Sequence, residues 1–205
     1  MGSENNKILK GSTHPLGVGV KIDFLNKTKF KISKSFFEKA FLISVEALKI
    51  PQPALLEIYL VSQNEIKKIN LKWRAKSSPT DVISFEVTNK KIGSYPKISN
   101  KKADANYLNP MFWGIIFLCP DFIKTHIKKY SPTHCNINAS LGTKNTGRRA
   151  SRLNIASTNL QCAGLLWAFI HGIIHCVGYD HEKSSKEEKL MRQLEKQILN
   201  KISSC

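Results

Sequence analysis

Acidic residues are scarce in this chain: 15 Asp and Glu stand against 32 Lys and Arg among 205 residues, a net charge of +17. Long apolar runs are also lacking. The longest, Met111 to Cys119, is interrupted by Gly114 and closed by Pro120, well short of the roughly 18 to 20 residues that a membrane-spanning helix needs. The opening residues show neither the apolar core of a secretory signal nor the Arg-rich amphipathic pattern of a transit peptide. A myristoylation signal after Gly2 would want Ser or Thr where Asn6 stands. The five cysteines (Cys119, Cys135, Cys162, Cys176, Cys205) are odd in number and contain no CxxC pair. They argue against a disulfide framework and for a reducing interior. No membrane role is expected, and the expected location is a bacterial cytoplasm, with a eukaryotic organelle as the alternative.

What is present suffices for a core. Hydrophobic residues make up 41% and aromatics 9%, too much for a wholly disordered chain, and the length suits one domain with large insertions. The basic residues are unevenly spread. Between Val87 and Leu160 twelve Lys and Arg face only Asp104 and Asp121, which is +10 of the +17. Such a surface attracts polyanions by counterion release, nucleic acid being the commonest, although a Lys-rich solvated loop has the same composition.

Residues 1–17 read as a flexible segment, and 18–205 as a single α+β domain. Its expected strands are Val18 to Leu25, Leu55 to Val61, Pro79 to Val87 and the fully apolar Phe112 to Leu118. Expected helices run from Phe36 to Lys49 behind a Ser35/Glu38 capping box, from an Asn64 cap to Trp73, and from Pro120 to about Tyr130. Two more follow: Leu160 to Val177, stopped by Gly178, and an amphipathic helix through Ile202 behind a Ser184/Glu187 capping box. Stretches 87–110 and 131–158 read as basic insertions, the second irregular. Two of the crossings between strands contain a helix, so a mixed central sheet of about four strands flanked by helices is expected.

The most informative segment is His171-Gly-Ile-Ile-His175-Cys-Val-Gly178-Tyr-Asp-His181. His171 and His175 lie four apart and share one helix face. Gly178 can take the left-handed conformation that ends the helix and swings His181 back. Three neutral imidazoles with an open fourth position suit a catalytic metal, zinc by ligand type, one per chain. A chance match to this spacing is on the order of 0.005 per chain. The spacing equals that of the metzincin peptidases, yet the residue after the first His, the Glu that serves as general base there, is Gly172. Asp180 reads as a partner for a ring N–H rather than a catalytic group. Cys176 points away from the histidine face and reads as core; Cys162, His126 and His134 have no spacing that recommends them as a fourth ligand.

A second segment, Asn70-Leu-Lys72-Trp73-Arg74-Ala-Lys76 followed by Pro79-Thr80-Asp81-Val82-Ile-Ser84-Phe85, places Arg74 in a polar link flanked by two lysines. A guanidinium there suits phosphate recognition, although an exposed ion pair would use the same residue. Thr80 and Asp81 read as loop-to-strand capping residues. Together the two segments resemble the YbeY family of zinc-dependent endoribonucleases and ribosome maturation factors. Asn70, Arg74, Pro79, Thr80, Asp81, Val82, Ser84 and Phe85 match, as do His171, Gly172, His175, Gly178, Tyr179, Asp180 and His181. Trp73 stands in place of a Tyr, Ile174 and Cys176 in place of leucines, and Ile115 in place of an Asp, while 131–158 is longer than usual.

The resemblance implies a single-strand-preferring endoribonuclease acting in rRNA maturation and ribosome quality control. It implies zinc on His171, His175 and His181, Arg74 stabilising the transition state, and Arg74, Lys72 and Lys76 holding substrate. Ribosomal RNA is the implied partner, with the ribosomal subunit or its proteins beside it. Two rivals remain. One is a non-catalytic assembly factor stapled by a structural zinc, which would show a fourth protein ligand. The other is a zinc peptidase or small-molecule hydrolase, which the missing Glu argues against. If the fold joins the segments, a phosphate backbone would cross the metal on a basic bed.

Overall fold

Three parallel strands and one antiparallel strand make the central sheet of this computed structural model, which describes residues 19–87, 112–126 and 152–204. Strands β1 (Val20–Asn26), β2 (Ala54–Leu60), β3 (Val82–Glu86) and β4 (Phe112–Leu118) lie in the order β1-β2-β4-β3. The register pairs Ile22 with Leu56, Ile58 with Ile116, and, antiparallel, Ser84 with Ile116. The apolar β4 lies between two neighbours, and Ile116, Phe117 and Leu118 are fully buried. That is the burial a continuous hydrophobic strand demands. The α+β class, the mixed sheet and its four strands agree with the sequence reading.

Helices cover both faces. Helices α1 (Lys34–Leu48), α4 (Arg152–Cys176) and α5 (Ser185–Ser204) pack on one face through Phe37, Phe41, Phe169, Ile173 and Ile198. Helix α2 (Gln63–Arg74) and the short α3 (Pro120–Thr125) flank the other, smaller cluster of Tyr59, Ile66, Ile115 and Phe117. Ile115, where the family pattern has a carboxylate, is buried in that cluster. From Leu165 to Ile174 helix α4 is buried on nearly every side, with Leu166, Phe169, Ile170 and Ile173 at 0–1% exposure. A helix that is apolar all round belongs in the middle of a fold, and each such side chain contributes about 1.5–3 kcal/mol.

Several boundaries differ from expectation. The cap of α1 is Ser33, with no side-chain cap bond, and Glu38 pairs with Lys34 at 3.0 Å, so no Ser35/Glu38 box forms. Helix α2 is capped by Ser62 rather than Asn64, in a full capping box with Glu65. It extends to Arg74, which therefore closes a helix instead of lying in a link. The α3 helix ends at Thr125, before the expected Tyr130. Helix α4 starts at Arg152, so the end of the expected irregular insertion is helical. The remainder of that insertion, the basic loop, the N-terminal segment and His134 lie outside the described residues.

Candidate metal centre and groove

Two turns of α4 and the turn after it build the centre. His171 and His175 stand on successive turns, and their Nε2 atoms are 3.1 Å apart. Gly178 ends the helix at φ +101°, with its N–H on the His175 carbonyl and the Tyr179 N–H on the Ile174 carbonyl. This is the Schellman pattern, for which glycine is the favoured residue. The chain turns back, and His181 brings a ring nitrogen to within 4.8 Å of the other two. The turn is tied down: Asp180 Oδ1 accepts the Glu182 N–H at 2.9 Å, and Glu187 Oε2 accepts the Asp180 N–H at 3.3 Å. Ser184 accepts the Glu187 N–H, as half of the expected box; the Glu187 carboxylate instead holds the histidine turn.

The donor set fits a small divalent ion. Two imidazole nitrogens each about 2.0–2.1 Å from one tetrahedral zinc are about 3.3 Å apart, close to the 3.1 Å observed. Burial, followed by repulsion from His171 and His181, pushes His175 from 6.5 down to about 4, against a hydrogen bond that its ring donates to the Tyr179 backbone. It is therefore neutral near pH 7, the form that binds metal. Among the described residues these three histidines are the only group of three or more such side chains that could hold a metal ion.

Asp180 does not serve a histidine ring. The Glu182 N–H holds its exposed carboxyl below the usual range, and the ring partner is Glu195 on α5. His171 Nδ1 donates to Glu195 Oε1 at 2.6 Å, which leaves Nε2 free for the ion. Glu195 is 7% exposed, and sequence reasoning passed over it. The signal was there: it lies in the buried stripe with Met191, Ile198 and Ile202, and a carboxylate in such a stripe needs a partner. Trp167, also passed over, stacks on His171 with centroids 5.0 Å apart.

The centre opens into a groove of about 1390 Å³ that Arg74 and Lys76 also line. Arg74 reaches across from the end of α2 to Glu182, Nη2 to Oε1 at 3.7 Å, so the two motifs do meet. Lys72 does not line the groove; its Nζ rests 5.3 Å from the Trp73 ring centroid. Basic residues of the lining (Arg74, Lys76, Lys183, Arg192, Lys196) are matched by acidic ones (Asp81, Asp180, Glu182, Glu188, Glu195). The described walls alone therefore make no basic bed. Asp81 Oδ1 accepts the Val82 N–H at 2.9 Å and the Thr80 hydroxyl, as a strand-capping residue should. Asn70 donates to the Ser78 carbonyl at 2.8 Å and holds the link before β3. Cys176 is core, its thiol pushed up to about 12 by burial, while His126 stacks on Phe122 in α3. Neither His126 nor Cys162 belongs to the metal-binding group.

The position after His171 explains the missing Glu. A Cβ on Gly172 would meet Ile116 Cδ1 and Val82 Cγ2 at 3.2 Å. Position 172 thus faces β3 and β4 and not the metal, and a side chain there would have to push the ends of Ile116 and Val82 aside. A Glu at 172 would be driven against apolar strands instead of towards the metal.

The family model "Endoribonuclease YbeY" matches residues 22–141 and 149–203. An endoribonuclease YbeY of Aquifex aeolicus is 27% identical over 86% of this chain and 89% of its own length. One from a Geobacillus strain is 28% identical over 88% of this chain and 94% of its own. A solution structure from Thermotoga maritima aligns over 89% of both chains, with 21% identity and a TM-score of 0.45. No helix among the described residues is long and apolar enough to cross a membrane.

Proposed function

The chain belongs to the YbeY family of endoribonucleases, and from that premise we propose that it cuts single-stranded RNA, with ribosomal RNA as substrate, in rRNA maturation and ribosome quality control. The observation that carries this reading is the meeting of three imidazoles and one guanidinium in one open groove. His171, His175 and His181 would hold a single zinc ion. Bound there, it would supply Lewis acidity for a phosphate oxygen or a water.

The rest is the work of the chain. Arg74 trades its exposed contact with Glu182 for the scissile phosphate and offsets the charge that develops on it. Lys76, on the same groove, and Lys72, just outside it, hold the backbone on either side by charge. Glu195 keeps the His171 proton on Nδ1. An assembly factor with a purely structural zinc is supported less well, because a structural site calls for a fourth protein ligand and Glu195 is already engaged. A peptidase is disfavoured by the packing at Gly172.

The test is chelator-sensitive cleavage of ribosomal RNA by purified protein with its metal content measured. Arg74→Ala should lose cleavage with zinc unchanged, and His175→Ala should lose both. Wild-type cleavage by Arg74→Ala would remove the assigned arginine role.

A further inference from the structure

The groove has one wall that the chemistry above leaves unused, the outer edge of β3. Among the described residues this strand pairs only with β4, and Val82 to Phe85 line the same groove as the histidines. The direction of its backbone groups follows from the register. The Cys119 N–H donates to the Asp81 carbonyl at 2.9 Å, one step beyond the Val82–Leu118 pair. Bonded pairs alternate along an antiparallel ladder. Asp81, Ile83 and Phe85 therefore turn their groups towards β4, while Val82, Ser84 and Glu86 turn theirs outward. Leu118 agrees, since its carbonyl accepts the Val61 N–H on the β2 side at 2.9 Å.

The outward Val82 N–H is already taken by Asp81 Oδ1. Ser84 is thus the first residue whose N–H and carbonyl both lie open to the groove, and neither meets a partner among the described residues. Its side chain is engaged with Cys176 in the core.

Building on the ribonuclease reading, we propose that the Ser84 backbone takes the Watson–Crick edge of an unpaired nucleobase, and that this contact is what makes the groove select single strands. Every base carries a donor beside an acceptor on that edge, and in a duplex both are used. A backbone N–H and C=O side by side therefore read strandedness and not sequence. A peptide is the poorer occupant. Strand addition draws its affinity from a run of main-chain bonds, and here Asp81 has closed the first donor of a five-residue strand.

Amide exchange at Ser84 in the zinc-loaded protein tests this. A short 2′-O-methyl single strand should slow exchange about tenfold, the value of one hydrogen bond, and the same strand in a duplex should not. A bound single strand that leaves Ser84 exchange unchanged overturns the proposal, as does equal protection by a duplex or by an extended peptide. Ser84→Pro deletes an N–H that points away from the ladder, a place where an edge strand tolerates proline, together with the hydroxyl that engages Cys176. It should weaken single-strand binding about tenfold relative to Ser84→Ala, which has lost the same hydroxyl, with duplex binding and zinc content as in wild type. Unchanged single-strand affinity in Ser84→Pro also overturns it. A protein that binds no RNA fails together with the ribonuclease reading; one that cuts single strands with Ser84 unprotected fails here alone.

Discussion

His171 Nδ1 and Glu195 Oε1 lie 2.6 Å apart, a contact across 24 residues that ties α4 to α5 at the metal centre. The carboxylate is nearly buried and fixes both the tautomer and the orientation of the ring. Partners of this kind usually contribute about 10–100-fold to metal affinity. Glu195→Ala should therefore weaken zinc binding by about that factor in a chelator competition. Glu195→Gln, which keeps an acceptor but drops the charge, should fall between. Wild-type affinity in Glu195→Ala would mean the pair is only a packing contact.

Arg74 and Glu182 form an exposed pair, 3.7 Å apart with the Glu182 side chain 63% exposed. Such pairs are worth about 0–1 kcal/mol. Glu182→Ala should accordingly leave the melting temperature almost unchanged. It should also lower KM for RNA, by up to about fivefold at low salt, because Arg74 no longer has to leave a carboxylate. The gain should shrink as salt is raised. A higher KM would show that Glu182 orients Arg74 for the substrate instead of competing with it.

The metal-depleted protein should lose stability in acid through His175. Its folded pKa of about 4 lies below the ordinary 6.5, so between these values the unfolded chain binds more protons. Stability from this group is complete above pH 6.5 and falls as pH drops towards 4. Denaturant midpoints at pH 7 and pH 5 should show the decline, and His175→Asn should flatten it. A zinc-loaded sample should release its metal in the same acid range, since protons and metal compete for the same nitrogen.

The centre was legible because it is local. A four-residue spacing on an apolar helix, with a glycine placed to turn the chain, specifies most of the geometry of His171, His175 and His181 without any tertiary knowledge. Glu195 was not legible as a partner because its contact is long-range, although its place in an apolar stripe marked it. Arg74 was harder still. Its local sequence fits a surface ion pair, and only the sheet order, with β4 inserted between β2 and β3, brings the end of α2 beside the histidine turn. Caps were misread where two residues able to cap stand two apart, Ser33 and Ser35 before α1 and Ser62 and Asn64 before α2. The start of α4 was missed for a different reason. Ser, Thr and Asn are weak helix formers, but extending a helix already nucleated by a buried segment costs little.

Gly172 provides the sharpest discrimination between nuclease and peptidase readings. A Cβ there would press on Ile116 and Val82 at 3.2 Å, and overpacking of this kind costs about 1–3 kcal/mol. Replacing glycine by alanine in a helix returns about 1 kcal/mol of propensity. Gly172→Ala should therefore be neutral to about 2 kcal/mol less stable by denaturant titration, with zinc still bound. Gly172→Glu adds a carboxylate against the apolar strands β3 and β4, where it has no partner. It should fail to fold or lose metal, and it should not hydrolyse peptides. A folded Gly172→Glu protein with chelator-sensitive peptidase activity would show that position 172 reaches the metal after all, and the packing of α4 on the sheet would have to be redrawn.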